Sequence, residues 1–381
     1  MTTGTGMDIR RFTIDIPEHV LTDLNDRLAR TRWPDEVEGA RWEYGVDRAW
    51  LLELTEHWRD QFSWREQEQA LNELPHFKAT IDGLSIHFVH ARAPASNALP
   101  LILTHGWPGS FLELKGLIPH LTREGFDVVV PSLPGYGFSD RPTAPGMTPG
   151  KIAEMWHALM QELGYLRYGA QGGDWGASVA TRLAMQHPAE VIGIHLNYVP
   201  GSYVPFLGQG ARELDAEERG FIDAAKLWTD QEGAYAHLQS TRPQTATYAL
   251  NDSPVGLLAW IAEKFRDWAD CGGQLERRIS RDVLLANVTL YWITETIGSS
   301  VRLYKEARSA PLRFGRDEKV PVPCGVAHFP VEAPMPPRSW VERHYDVQRW
   351  TAMASGGHFA ALEEPQLLAE DIRDFFRSLR R

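Results

Sequence analysis

Five consecutive residues constrain this chain more than any other feature of it. Gly172-Gly173-Asp174-Trp175-Gly176 stands between a strand-like run, "LRYGAQ", and a helical run, "WGASVATRLAMQHP". Glycines on both sides of one polar residue permit the tight strand-to-helix turn that lifts a nucleophile above a sheet. An Asp in front of a helix is also an ordinary N-cap, so this reading needs support from the rest of the chain.

The flanking texture supplies that support. "FKATI" and "LSIHFVHA" are joined by Asp82-Gly83 and predict a hairpin. The short apolar runs "PLILTHG" and "FDVVVPSLPG" suit strands buried on both faces of a parallel sheet. Helical stretches are expected at about 111–124 and 149–163, and a strand at "VIGIHLNYVP". The alternation predicts an α/β class, a mostly parallel sheet flanked by helices. From about 212 to 305 the pattern turns helical, and strand character returns at "VPVPCGVAHFP" and "RWTAMASGG". Such an interruption predicts a helical cap inserted between strands. Residues 7–75 carry helical patterns in "PEHVLTDLNDRLART" and over about 47–69, with no hydrophobic strand run, and are expected to form an appendage. The resulting division is 1–76 as an N-terminal segment, 77–204 and 307–381 as two parts of one core, and 205–306 as the cap. The Pro-rich stretches "RPTAPGMTPG" and "EAPMPPRS" are expected to be exposed loops.

Composition narrows the partners. A formal net charge of −11 opposes binding to a phosphate backbone, and a small neutral substrate fits it better. No apolar run reaches the roughly 18 residues of a membrane span, and "MTTGTGMDIRRFTIDIPEHV" lacks a secretory core, so a cytoplasmic location is expected. Cys271 and Cys324 alone neither require a disulfide nor make a metal site.

Two further segments complete a reactive constellation. His105-Gly106-Trp107-Pro108-Gly109-Ser110 follows an apolar run and suits a loop whose Trp107 N–H, with that of Trp175, forms an oxyanion hole; alone it reads as an ordinary turn. Gly356-Gly357-His358-Phe359 ends the last strand-like run, where a histidine can reach the turn at Asp174 as a base. Only position distinguishes His358 among 14 histidines. Its orienting acid should follow the penultimate strand. Glu332, 358 − 332 = 26 residues earlier, is favoured over Glu342 and Asp346 in the same connection. An Asp in place of the serine of esterases attacks saturated carbon and forms an ester on the protein.

With these segments in view the sequence closely resembles the microsomal-type epoxide hydrolases of the α/β-hydrolase superfamily. The matching strings include "FTIDIPEHVLTDLNDRLARTRWPD", "HGWPGS", "PSLPGYGFSD", "GGDWGA", "YAHLQSTRP", "VRLYKE", "FPVE" and "GGHFAALEEP", in the family's order over almost the whole chain. The resemblance implies an α/β-hydrolase fold and a cofactor-free, metal-free conversion of an epoxide and water to a vicinal diol. It implies Asp174 as nucleophile, His358 as base, Glu332 as its acid, and Trp107 and Trp175 as oxyanion-hole donors. It also singles out Tyr235 and Tyr304, among 11 tyrosines, as proton donors to the ring oxygen. A homodimer is expected by family analogy, and a counterpart of the apolar anchor of some animal members is not expected. A haloalkane dehalogenase and a catalytically silent small-ligand binder are the competing readings.

Overall fold

The computed structural model describes residues 7–380, so the first six residues of the 1–76 segment lie outside it. Nine strands form one sheet: β1 (Ile9–Arg11), β2 (His76–Ile81), β3 (Leu84–Ala91), β4 (Leu99–Thr104), β5 (Phe126–Pro131), β6 (Tyr168–Gly172), β7 (Val191–Leu196), β8 (Pro323–His328) and β9 (Asp346–Ala352). Their order is β1-β2-β3-β5-β4-β6-β7-β8-β9. The first four are joined antiparallel, and everything from β5 to β9 is parallel. Asp82 and Gly83, with φ of 49° and 79°, make the two-residue turn between β2 and β3, pairing Ile81 with Leu84.

Alternation along β4 sets the two layers. Ile102 faces one hydrophobic cluster with Trp156 and Leu183, whereas Leu101 and Leu103 face the other with Phe375 and Phe376. The chain's N-terminal helices are α1 (Glu18–Ala29), α2 (Arg48–Asp60) and α3 (Trp64–Leu71); α4 (Ile118–Arg123), α5 (Pro149–Glu162) and α6 (Asp174–Gln186) follow between strands. Six helices occupy the connection from β7 to β8: α7 (Ala216–Glu232), α8 (Ala234–Thr241), α9 (Pro243–Leu250), α10 (Pro254–Trp268), α11 (Arg281–Ile293) and α12 (Ile297–Ser309). The short α13 (Arg338–Val341) and α14 (Ala360–Glu363) precede the last helix, α15 (Pro365–Arg377).

Several expectations from sequence need correction. The stretch 47–69 is two helices, because Ser63 caps a new one by accepting from the Glu66 amide. The stretch 111–124 is a 3-10 turn at Phe111–Leu114 followed by α4, with Pro119 in its first turn. "EAPMPPRS" is mostly part-buried instead of exposed, since Ala333, Pro334 and Pro336 line a cavity. Nor is the N-terminal segment free of strands: β1 pairs Arg10 with Lys78 at the sheet edge. Three residues reading Ile-Arg-Arg carry too little hydrophobic pattern to announce a strand.

That segment also ties the inserted helices to the rest of the fold. Trp58 Nε1 donates to Thr289 Oγ1 on α11 at 2.9 Å in a buried contact, and His57 Nε2 lies 2.7 Å from Asp282 Oδ1. Arg27 donates to the carbonyl and carboxylate of Asp252, at 2.9 and 2.8 Å. Among the described residues no helix is long and apolar enough to cross a membrane. Cys271 and Cys324 are buried free thiols, and burial raises the pKa of both.

Candidate active site

The site is built around the bend at the end of β6. Asp174 has φ of 46°, the left-handed region that a non-glycine residue occupies at a cost of order 1–3 kcal/mol. The glycines around it are required by contact. A Cβ on Gly176 would drive into the carbonyl of Thr104 on β4, and one on Gly172 into the backbone of Gly176. The bend therefore packs directly against the neighbouring strand, and the Asp174 side chain has only one direction to take.

One carboxylate oxygen is already held. Trp107 N–H donates to Asp174 Oδ1 at 2.8 Å, and the Trp175 N–H also hydrogen-bonds this carboxylate. Burial nonetheless raises the Asp174 pKa above its ordinary value, against the lowering effect of His358 and the two amides. Oδ2 turns toward His358, whose Nε2 lies 3.8 Å away.

His358 is fixed from its far side. Its Nδ1 is 2.6 Å from Glu332 Oε1, and the Glu332 side chain is 1% exposed. The Ala333 amide donates to the same oxygen at 2.8 Å, and an isolated bridge joins Val331 to Gly357. Burial pulls the His358 pKa down, but the Glu332 carboxylate beside it, together with Asp174 and Glu113, outweighs that and leaves it at about 9. Glu342 and Asp346 are elsewhere: Glu342 pairs with Arg338 at 2.6 Å on the surface, and Asp346 accepts from the Gln348 side chain.

Tyr235 on α8 and Tyr304 on α12 are both buried and stand over the bend. The Tyr235 ring stacks on Trp107 with centroids 5.4 Å apart and planes 8° apart. Tyr304 meets Trp175 edge-on at 4.8 Å, and the two phenol rings are 5.9 Å apart. Burial raises both phenol pKa values, and the Asp174 charge raises them further, so each keeps its proton near neutrality. A cavity of about 650 Å³, within the usual range for a small-molecule site, runs from Asp174 between the bend and the inserted helices.

Reading the sequence missed several residues here. Tyr198, at the end of β7, lines the cavity and sets its ring edge-on to His358 at 5.9 Å. Its place just past the carboxyl end of a parallel strand was the available signal. Trp268, at the end of α10, accepts the His358 N–H on its carbonyl at 3.0 Å, and no local pattern marks it. Half-buried Glu113 and buried Glu363 are the other acids near His358.

A family model for the epoxide hydrolase N terminus matches residues 9–114, and one for the α/β hydrolase fold matches residues 100–228. A protein of Stigmatella aurantiaca is 45% identical over 98% of this chain and 86% of its own length. Epoxide hydrolase 1 of Sus scrofa is 40% identical, with 96% of this chain and 88% of that protein covered. The chain belongs to the epoxide hydrolase family. Its fold superposes on the Aspergillus niger epoxide hydrolase with a TM-score of 0.87 at 32% identity, covering 98% of this chain and 97% of that one. The likeness to this epoxide hydrolase therefore runs nearly end to end in both chains.

Among the described residues, neither group of side chains that could hold a metal ion, His157 with His187 and Glu190 or Glu232 with Glu263 and Asp267, includes a residue of this site. His157, His187 and Glu190 approach one another away from it, but the two imidazoles are stacked at 3.6 Å with planes 4° apart. In-plane lone pairs of stacked rings run side by side instead of converging on one ion.

Proposed function

We propose that the chain hydrolyses an epoxide to a vicinal diol in two half-reactions that share Asp174. Asp174 Oδ2, the oxygen not engaged by Trp107, attacks a ring carbon in line with the departing C–O bond. The ring oxygen takes a proton from Tyr235 or Tyr304, which avoids expelling a free alkoxide, and a β-hydroxyalkyl ester remains on Asp174.

Ester formation removes the Asp174 charge, and with it one of the effects that raise the His358 pKa. His358 then becomes a neutral base, oriented by Glu332. It takes a proton from water as the water oxygen bonds to Asp174 Cγ, and the Trp107 and Trp175 amides hold the resulting oxyanion. Collapse breaks the bond from Cγ to the diol oxygen, His358 returns the proton to that oxygen, and Asp174, now carrying one oxygen from water, gives its acid proton back to the phenolate left by the first step.

The observation that carries this reading is the half-held carboxylate beneath two protonated phenols at one end of a cavity. Phenols favour an epoxide over a dehalogenase substrate, since a leaving halide needs no proton. Helices α7–α12 are assigned the role of a cap, with 77–204 and 307–381 as the two parts of the core. Phe221, Trp228 and Tyr198 along the cavity support an aryl or alkyl epoxide; equal kcat/KM for styrene oxide and a short aliphatic oxide would remove that preference.

Mass measurement on intact His358→Gln protein given an epoxide tests the covalent route. The expected spectrum shows the chain plus one substrate. An unmodified chain, where wild type turns over, would sink it.

A further inference from the structure

One acid near the site is unused by the steps above. Glu113 follows the Trp107 loop, in the 3-10 turn at Phe111–Leu114, and lies deep in the protein yet keeps accessible surface. That surface has a place to go. Behind Asp174 is a second, small cavity with room of about 20 Å³, lined by Glu113, Asp174, His358, Gln171 and Asn197 among others, and by no residue of α7–α12. It reaches the carboxylate from the core side, whereas the large cavity reaches it from the inserted helices.

The volume suits a water molecule, which needs roughly 10–15 Å³ and two to four polar partners. Glycine at position 109 is what admits the carboxyl group, because a Cβ there would coincide with Glu113 Oε1. The Ser110 amide hydrogen-bonds the same group. Burial, together with the Asp174 charge and against the effect of His358, pushes the Glu113 carboxyl up to about 8, so near neutrality it is an uncharged acid with an acceptor oxygen.

We infer that Glu113 holds the hydrolytic water in this small cavity, accepting one water hydrogen while His358 Nε2 takes the other. No proton moves to Glu113: the water oxygen bonds to Asp174 Cγ, one proton passes to His358, and the second stays on the new hydroxyl, hydrogen-bonded to Glu113. The inference rests on the ester reading above and concerns its second half only.

Glu113→Met removes the acceptor at nearly constant size, Glu113→Gln restores a carbonyl, and Gly109→Ala displaces the carboxyl without removing it. Rapid-quench single turnovers with styrene oxide, read by intact mass, separate the two steps. In Glu113→Met the expected result is ester formation within about threefold of wild type and hydrolysis slowed about 10²-fold. Glu113→Gln should recover most of that loss. If Glu113→Met does not fold, Gly109→Ala carries the same expectation. Hydrolysis at the wild-type rate, or both steps slowed alike, overturns the inference. Ester that accumulates in His358→Gln but not in Glu113→Met overturns this role alone, whereas no ester in His358→Gln overturns the two-step reading beneath it.

Discussion

His358 Nε2 stands 3.8 Å from Asp174 Oδ2, beyond hydrogen-bond reach and within ion-pair reach. In the resting protein this makes a buried pair, imidazolium against carboxylate, with His358 at about 9. In the proposed ester route the same histidine has to be neutral to activate water, and alkylation of Asp174 would release it.

The pH dependence of the two steps should therefore differ. Ester hydrolysis needs neutral His358, so its rate should rise with pH to a plateau, and loss of the Asp174 charge should put the midpoint below about 9. Ester formation needs the Asp174 carboxylate and should fall as acid protonates it. Single-turnover rates across pH give both curves, and a hydrolysis midpoint at or above 9 would contradict the coupling.

Glu332→Gln removes the carboxylate 2.6 Å from His358 Nδ1 and with it two of the effects that raise the histidine. Hydrolysis should slow by about 10² or more, with ester formation within a few-fold and the His358 titration moved down. An imidazole proton resonance followed by NMR would report the titration. An unmoved midpoint would mean that another group holds the ring.

Tyr235→Phe and Tyr304→Phe keep the ring contacts with Trp107 and Trp175 and delete only the proton. Each should slow ester formation by about 10-fold to 10²-fold, the double variant more, and neither should change hydrolysis of preformed ester. Stopped-flow tryptophan fluorescence resolves the steps. Equal slowing of both would point to a packing role.

Asp371 on α15 supplies a test of the fold itself. It accepts from His195 Nε2 at 2.9 Å, Arg349 Nε at 2.6 Å and Thr351 Oγ1 at 2.6 Å, so it ties α15 to β7 and β9. Burial alone would raise this carboxyl, but those partners hold it well below the ordinary carboxylate range. A depressed native pKa means stability that is present above the unfolded value, near 3.9, and lost as pH falls through the native one. Asp371→Asn should cost about 3 kcal/mol at neutral pH, measured by urea unfolding, and flatten the acid limb of the stability curve. A cost under about 1 kcal/mol would remove this assignment.

Local chemistry in the sequence determined much of this protein. The glycines at 172, 173 and 176 around Asp174, the two-residue turn at Asp82-Gly83, and the apolar runs that became β4, β5, β6 and β7 are all written within a few residues, because backbone sterics and burial periodicity act at that range. The family resemblance added Tyr235 and Tyr304, which composition could not distinguish from nine other tyrosines. Position after β8 favoured Glu332 over Glu342 and Asp346, but only tertiary structure sets its oxygen 2.6 Å from His358 Nδ1 and carries the other two away. It alone put Ile9–Arg11 on the sheet and seated Glu113 behind Asp174 against Gly109. Those are relations between residues four to dozens of positions apart, and they exist only once the core has packed and left each side chain one place to go.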